Sequence, residues 1–234
     1  MRSIEFTKSN ILLEGGNIWK DALKTQRINK SDVVPTVKFL EKITNLPLVD
    51  NMLGTTGRKA SSGDLDLAVD AKKYTKDELV SLFKNYADNN DKDALVKKSG
   101  ISVHFRTPIN GNKSNGYVQT DFMFLDDVDF AKWSMTQMPS EYKGAAKHII
   151  LNSIAKSMGL KWSFLNGLSD RDSGDLLRGG KDPKYVAQTL FGKDVNKDTI
   201  STVENMLDAL KNDPKRDEKL ADAKETLAKD NIKI

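Results

Sequence analysis

The sequence predicts an α+β fold: a mixed, mostly antiparallel sheet with helices on one face, plus helical segments toward the N- and C-terminal ends. Strand-like alternation of apolar and polar residues concentrates in the middle of the chain, at residues 64–69, 101–106 and 117–124. Helical periodicity lies before, between and after those stretches, beginning near residues 31, 75, 144 and 201. Strands in the centre with helices around them point to one sheet, covered on one face and open on the other.

The elements follow in order. The first 30 residues read as irregular, with a turn at Gly15-Gly16-Asn17 and with Ile18, Trp19 and Leu23 as docking points. A helix starts near Ser31-Asp32, tolerates Pro35 in its first turn, carries Val37, Leu40, Glu41 and Ile43, and ends at Pro47. A short strand, Val49 to Leu53, then leads through a glycine turn into the strand Asp64 to Val69. Thr75-x-x-Glu78 is a capping box, opening a helix with Leu79, Leu82, Phe83 and Tyr86 on its buried side. Ile101 to Arg106 alternates as a strand, and the Asn- and Gly-rich turn at 110–116 joins it to the strand Tyr117 to Phe124. Residues 144–158 form a helix with Ala145, Ile149, Ile150, Ile154 and Met158 at helical spacing. Ser201-x-x-Glu204 caps a later helix that buries Val203, Met206, Leu207 and Leu210. Asn212-Asp213-Pro214 breaks that helix, and a charged one over about 215–229 finishes the chain. The resulting segments are 1–47, 48–136, 137–195 and 196–234.

With 234 residues the chain can bury a sizeable core in one domain or two small ones. Hydrophobic residues make up 38% and charged residues 30%, and the net charge is +4, a mildly basic balance that suits a nucleotide or nucleic-acid partner without demanding one. There is no cysteine, which excludes disulfides and thiolate metal sites and fits a reducing compartment. With only His104 and His148 as imidazoles, a structural zinc site is not expected. The N-terminus lacks a signal-like apolar stretch, and no apolar run approaches the ~20 residues of a membrane span.

Chemistry concentrates in residues 53–69. A glycine turn with hydroxyls and two cations, Gly54-Thr55-Thr56-Gly57-Arg58-Lys59, runs through Ser61-Ser62-Gly63 into Asp64-Leu65-Asp66. Alternation along a strand points Asp64 and Asp66 the same way, with Leu65, Leu67 and Val69 toward a core. Paired carboxylates repel unless a cation is shared, and hard Mg²⁺ prefers such oxygens together with phosphates. Asp121, alone among the alternating residues of the later strand, is the candidate third carboxylate. The bland alternative is a half-exposed strand whose polar face happens to carry Asp.

These residues resemble the nucleotidyltransferase superfamily that includes DNA polymerase beta and the other family X polymerases. The shared pattern is Gly54-Thr55, Arg58, Ser61-Ser62-Gly63-Asp64-Leu65-Asp66 and the later Asp121. Downstream, Lys143-Gly144-Ala145-Ala146-Lys147-His148 and Ile154 to Trp162 resemble the helix-then-strand segment that follows a family X palm, with Asn166-Gly167-Leu168, Asp182-Pro183 and Leu190-Phe191-Gly192 as its end. The likeness covers roughly residues 48–192 and extends to proteins carried by tailed phages.

The resemblance implies a palm domain over 48–136, a thumb-like continuation over 137–195, and a cytoplasmic location, in a host cell if a phage encodes the chain. It implies transfer of a nucleoside monophosphate from an NTP or dNTP to an acceptor hydroxyl, a nucleic-acid 3′ end, with pyrophosphate leaving. Asp64 and Asp66 would ligate two Mg²⁺ ions (or Mn²⁺), and Asp121 the catalytic one nearest the acceptor. Gly54, Thr55, Arg58, Lys59, Ser62 and Gly63 would hold the nucleotide, Thr55 from the start of a helical turn. The chain departs from the pattern in several places. Thr55 stands in place of the usual Ser, the Gly-to-Asp spacing is one residue shorter than in polymerase beta, and Gln119 occupies a position where polymerases often have Arg. Met138-Pro139-Ser140-Glu141 replaces the sugar-discriminating segment, leaving ribose or deoxyribose open, and no helix-hairpin-helix motif precedes the core.

His104 and Arg106 share a strand face, which makes them either acceptor contacts or the solvent side of an amphipathic strand. Trp133, Tyr142 and Trp162 are base-stacking candidates or core, and Lys215, Arg216 and Lys219 are phosphate contacts or a solvated helix face. Rival functions are a nucleotide- or nucleic-acid-binding protein of the same fold without transferase activity, and a transferase acting on a protein or small-molecule acceptor.

Overall fold

The computed structural model describes residues 18–19, 24–142 and 144–234; the expected turn at Gly15-Gly16-Asn17, Leu23 and Lys143 lie outside them. The fold is α+β. In chain order the elements are β1 (Ile28–Asn29), α1 (Lys30–Thr44), β2 (Ser61–Ser62), β3 (Asp64–Asp70), α2 (Lys76–Asn90), β4 (Val96–Ser99), β5 (Ser102–Pro108) and β6 (Tyr117–Leu125). There follow α3 (Val128–Met135), α4 (Gly144–Ser157), β7 (Leu160–Ser163), β8 (Gly167–Asp170), α5 (Pro183–Phe191), α6 (Val203–Ala209) and α7 (Arg216–Ala228).

The central sheet has the order β3-β6-β5-β4, with β3 parallel to β6 and the other two pairings antiparallel. The parallel pair needs a long crossover, and α2, β4 and β5 supply it. Residues on one face of the sheet, Leu65, Leu67, Val69, Val103, Phe105, Phe122 and Phe124, form a single core with Val33, Val37 and Leu40 of α1 and Leu79 and Phe83 of α2. A second core joins α4, α5, α6 and α7 through residues such as Ile150, Ile154, Val186, Leu190, Met206 and Leu220. Leu53, Ala68, Leu125 and Ala131 form a small cluster where α3 meets the sheet's other face. Among the described residues no helix is long and apolar enough to cross a membrane.

Several local expectations are corrected. Helix α1 begins at Lys30, so Pro35 sits in its second turn, and the helix stops at Thr44 on a left-handed Asn45 rather than at Pro47. Val49–Asn51 is a 3₁₀ turn, and only Met52 bridges β3, opposite Leu67, so no strand forms over 49–53. The Thr75–Glu78 capping box is present, but Leu82 is 40% exposed, while Leu79, Phe83 and the half-buried Tyr86 pack toward the sheet. The cap of α6 is Thr202, whose hydroxyl accepts from the Asn205 N–H, while Glu204 accepts from Ser140 instead. Trp162 is buried and stands edge-on to Trp133 at 6.3 Å, so these rings are core. Lys219 is buried, with Nζ donating to the Leu190 carbonyl and to Asp213, which removes it from any phosphate surface.

Lys147 of α4 is 1% exposed, and its Nζ donates to the Thr136 carbonyl at 2.8 Å. Burial pushes its pKa down from 10.5 to about 7. Beside it, burial and then the Lys147 charge push His148 down from 6.5 to about 3. Between about pH 7 and 10.5 the unfolded chain binds the extra proton at residue 147, so folding stability rises with pH across that window. His148 acts the same way lower down, and its contribution is lost as pH falls from 6.5 toward 3. Urea titrations at several pH values are expected to show stability rising by up to about 1.4 kcal/mol per pH unit above neutrality. Lys147→Met is expected to abolish that rise and leave the acid-side loss in place.

Candidate nucleotide and metal site

The sheet register brings two of the three carboxylates side by side. Asp66 of β3 is the direct partner of Asp121 on β6, and Asp64 is the partner of Gln119. On the other side of β6, His104 of β5 pairs with Asp121 and Arg106 with Gln119. Because alternate residues share a face, Asp64, Asp66, Gln119, Asp121, His104 and Arg106 line the side of the sheet opposite the α1–α2 core. Exposed Lys97 on β4, the partner of His104, ends the row at the sheet edge.

That face is not open, contrary to the expectation from element order. Gln119, Arg106 and His104 are 2%, 7% and 8% exposed. The Ile18 N–H donates to Gln119 Oε1 at 3.0 Å, and Arg106 donates to the carbonyls of Asp93 and Lys24. The Arg106 guanidinium also lies 3.6 Å from the centre of the Tyr117 ring, whose hydroxyl donates to Asp91. Burial and the low dielectric around it push the Tyr117 hydroxyl up to about 12, helped by the Asp91 carboxylate. Arg106 is therefore a strut between β5 and the chain before β1, neither a solvent-side residue nor an acceptor contact. At the far end of the same face, Ala68, Met123 and Leu125 pack under α3. The carboxylates occupy the belt between these two covers.

The turn before β3 lies along the sheet's free edge. The Leu53 N–H donates to the Asp66 carbonyl at 2.8 Å, and the Asp66 N–H donates to Thr56 Oγ1 at 3.0 Å. Asp66 is thus fixed at both backbone groups by residues of the turn. Gly54, at φ 57°, sits where a Cβ would stand 3.5 Å from Asp66 Oδ2. Arg58 donates from its backbone to the Thr55 carbonyl and from Nη1 to the Gly54 carbonyl at 3.3 Å, closing the loop on itself. Gly57 is also at positive φ, and hydrogen-bonded turns occupy residues 54–58. No helix starts at Thr55, so the expected helix-start donors there are replaced by a glycine-braced loop. Lys59 is half-buried on the same loop, Gly63 is exposed, and Ser62 is buried with an Oγ that has no hydrogen-bond partner.

Sequence reasoning missed Arg27 and Thr56. β1 pairs antiparallel with β2, which brings Arg27 to Ser61: Nε donates to the hydroxyl at 3.1 Å and Nη2 to the carbonyl at 3.0 Å. A Cβ on Gly63 would lie 3.4 Å from Arg27 Nη1, so this guanidinium stands beside the entry to the carboxylate strand. No local pattern marks Arg27, because the pairing partner lies 34 positions away. Thr56 had a signal, a second hydroxyl inside the glycine turn.

Asp121 is held from two sides. His104 Nδ1 lies 2.7 Å from its Oδ1, and Gln119 Nε2 donates to Oδ2 at 3.2 Å. Among the described residues, no three His, Asp or Glu side chains are gathered closely enough to hold an ion as they stand. The donor chemistry fits a hard cation nonetheless: three carboxylates stand on one face of two adjacent strands. Two clefts lie elsewhere. One of about 420 Å³ is lined by Phe39, Tyr86, Asp91 and Lys113, and another of about 290 Å³ by Arg27, Asp32 and Asn110, neither including Asp64, Asp66 or Asp121.

Comparison of the chain with family models, curated proteins and solved structures returns no match in any of the three.

Proposed function

We propose that the protein is a nucleotidyltransferase that moves a nucleoside monophosphate from an NTP or dNTP to the hydroxyl of an acceptor, a nucleic-acid 3′ end. The observation that carries this reading is the Asp66–Asp121 register, with Asp64 on the same face and the Gly54–Arg58 loop bonded to Asp66. Asp64, Asp66 and Asp121 would hold magnesium. When bound, magnesium supplies charge neutralisation to the triphosphate and lowers the pKa of the attacking hydroxyl. The residues of the chain do the rest by position, since the protein contributes little covalent chemistry to phosphoryl transfer. The Gly54–Arg58 loop and Ser62 would offer backbone N–H groups and hydroxyls to phosphate oxygens, and Arg58, Lys59 and Arg27 would offer positive charge. The unpartnered Ser62 hydroxyl, buried beside Gly63, supports a polar ligand there.

Incubation with α-³²P-labelled NTPs and dNTPs in Mg²⁺, with DNA, tRNA, protein and small-molecule acceptors in one panel, tests the reading. Label in a nucleic-acid pool supports it, label elsewhere redirects the acceptor, and binding without transfer to any pool leaves a nucleotide-binding protein. Arg27→Ala is expected to raise the KM for the triphosphate about tenfold, the worth of one charge-assisted hydrogen bond, with kcat little changed. An unaltered KM would remove Arg27 from the site.

A further inference from the structure

We infer that His104 is the positioning residue for Asp121, fixing the third carboxylate on the sheet face it shares with Asp66. The inference rests on the transferase reading and deepens it. His104 Nδ1 lies 2.7 Å from Asp121 Oδ1, and a carboxylate that ligates a metal ion accepts hydrogen bonds, so we assign the proton of this contact to the ring nitrogen. The two groups are register partners on antiparallel strands, and their side chains are only 11% and 14% exposed. Gln119 Nε2 takes the other oxygen at 3.2 Å, and Gln119 is itself held by the Ile18 N–H at 3.0 Å. Both oxygens of Asp121 therefore carry an assigned donor. Oδ1 bonds to a ring that β5 holds in place; Oδ2 bonds to an amide on its own strand. A carboxylate with several rotamers loses freedom through the ring contact, which is the usual service of outer hydrogen bonds to ligating groups.

The opposing account is that the pair merely ties β5 to β6. Two features speak against it: the strands are already joined by seven register pairs, and the apolar side of the same strands supplies the core through Phe105 and Phe122. A histidine is not needed to hold this pairing.

The test uses three variants of the full chain and one measurement on the unaltered protein. Asn places its amide nitrogen where His has Nδ1, one bond nearer the backbone than the amide nitrogen of Gln. His104→Asn is expected to keep most of the wild-type kcat. His104→Gln and His104→Ala are expected to lower kcat about 10–100-fold with the KM for the triphosphate unchanged. Melting temperatures of the three variants are expected to cluster together. Long-range ¹H–¹⁵N correlation on the wild-type chain is expected to show a proton on His104 Nδ1. Equal losses for Asn, Gln and Ala, activity losses that track melting temperature, or a ring protonated at Nε2 alone would each overturn this inference while the transferase reading stands. Absence of any transfer by the wild-type chain overturns both.

Discussion

Asp66→Asn is expected to reduce transfer of labelled α-phosphate by about 10³-fold while leaving the far-UV circular dichroism spectrum unchanged. The substitution keeps side-chain shape and removes one formal charge from the register partner of Asp121. The backbone of residue 66 is anchored independently of its carboxylate, through the Thr56 hydroxyl and the Leu53 N–H, so the turn stays in place. The loss should therefore fall on turnover rather than on folding. Single-turnover assays with saturating triphosphate separate that outcome from weakened binding. Transfer at the wild-type rate by Asp66→Asn would sink the carboxylate site, whatever nucleotide affinity remains.

Phe83→Ala is expected to destabilise the fold by about 3–5 kcal/mol. The ring is fully buried, stacked 4.1 Å from Phe105 and tilted against Phe122 at 4.9 Å, so it pins α2 to the two strands that carry His104 and Asp121 on their other side. Removing it leaves a cavity that the flanking strands cannot close without disturbing their register. Urea unfolding followed by circular dichroism measures the loss, and a change below about 1 kcal/mol would show that the stack does not bear on stability. The second core, around α4 to α7, shares none of these residues. Trp133 and Trp162 pack there.

Stability and the proposed chemistry meet in the sheet, where each strand serves both. Leu65 and Leu67 enter the core while Asp64 and Asp66 turn away from it; Phe105 and Phe122 do the same for His104 and Asp121. A shift of one residue in any of these strands would bury the carboxylates and expose the core, so hydrophobic burial also secures the polar register. Like charges on neighbouring strands oppose that arrangement, and the His104 contact offsets part of the repulsion at Asp121.

Local periodicity was enough to recognise the α+β class, the alternation of β3, β5 and β6, the Thr75–Glu78 box and the shared face of Asp64 and Asp66, because each depends on residues a few positions apart. What it missed were relations between distant segments. That β6 lies beside β3 in parallel, with Asp121 level with Asp66, follows from which apolar faces pack on α1 and α2. The return of β1 to β2, which delivers Arg27 to Ser61, and the contacts of Ile18 with Gln119 and of Lys24 with Arg106 join residues far apart in sequence. His104 looked like one polar residue in an amphipathic strand, and only antiparallel registration set its ring against Asp121. Side-chain direction along a strand is decided by neighbours in sequence, whereas the partner across the sheet is decided by the burial of the whole core.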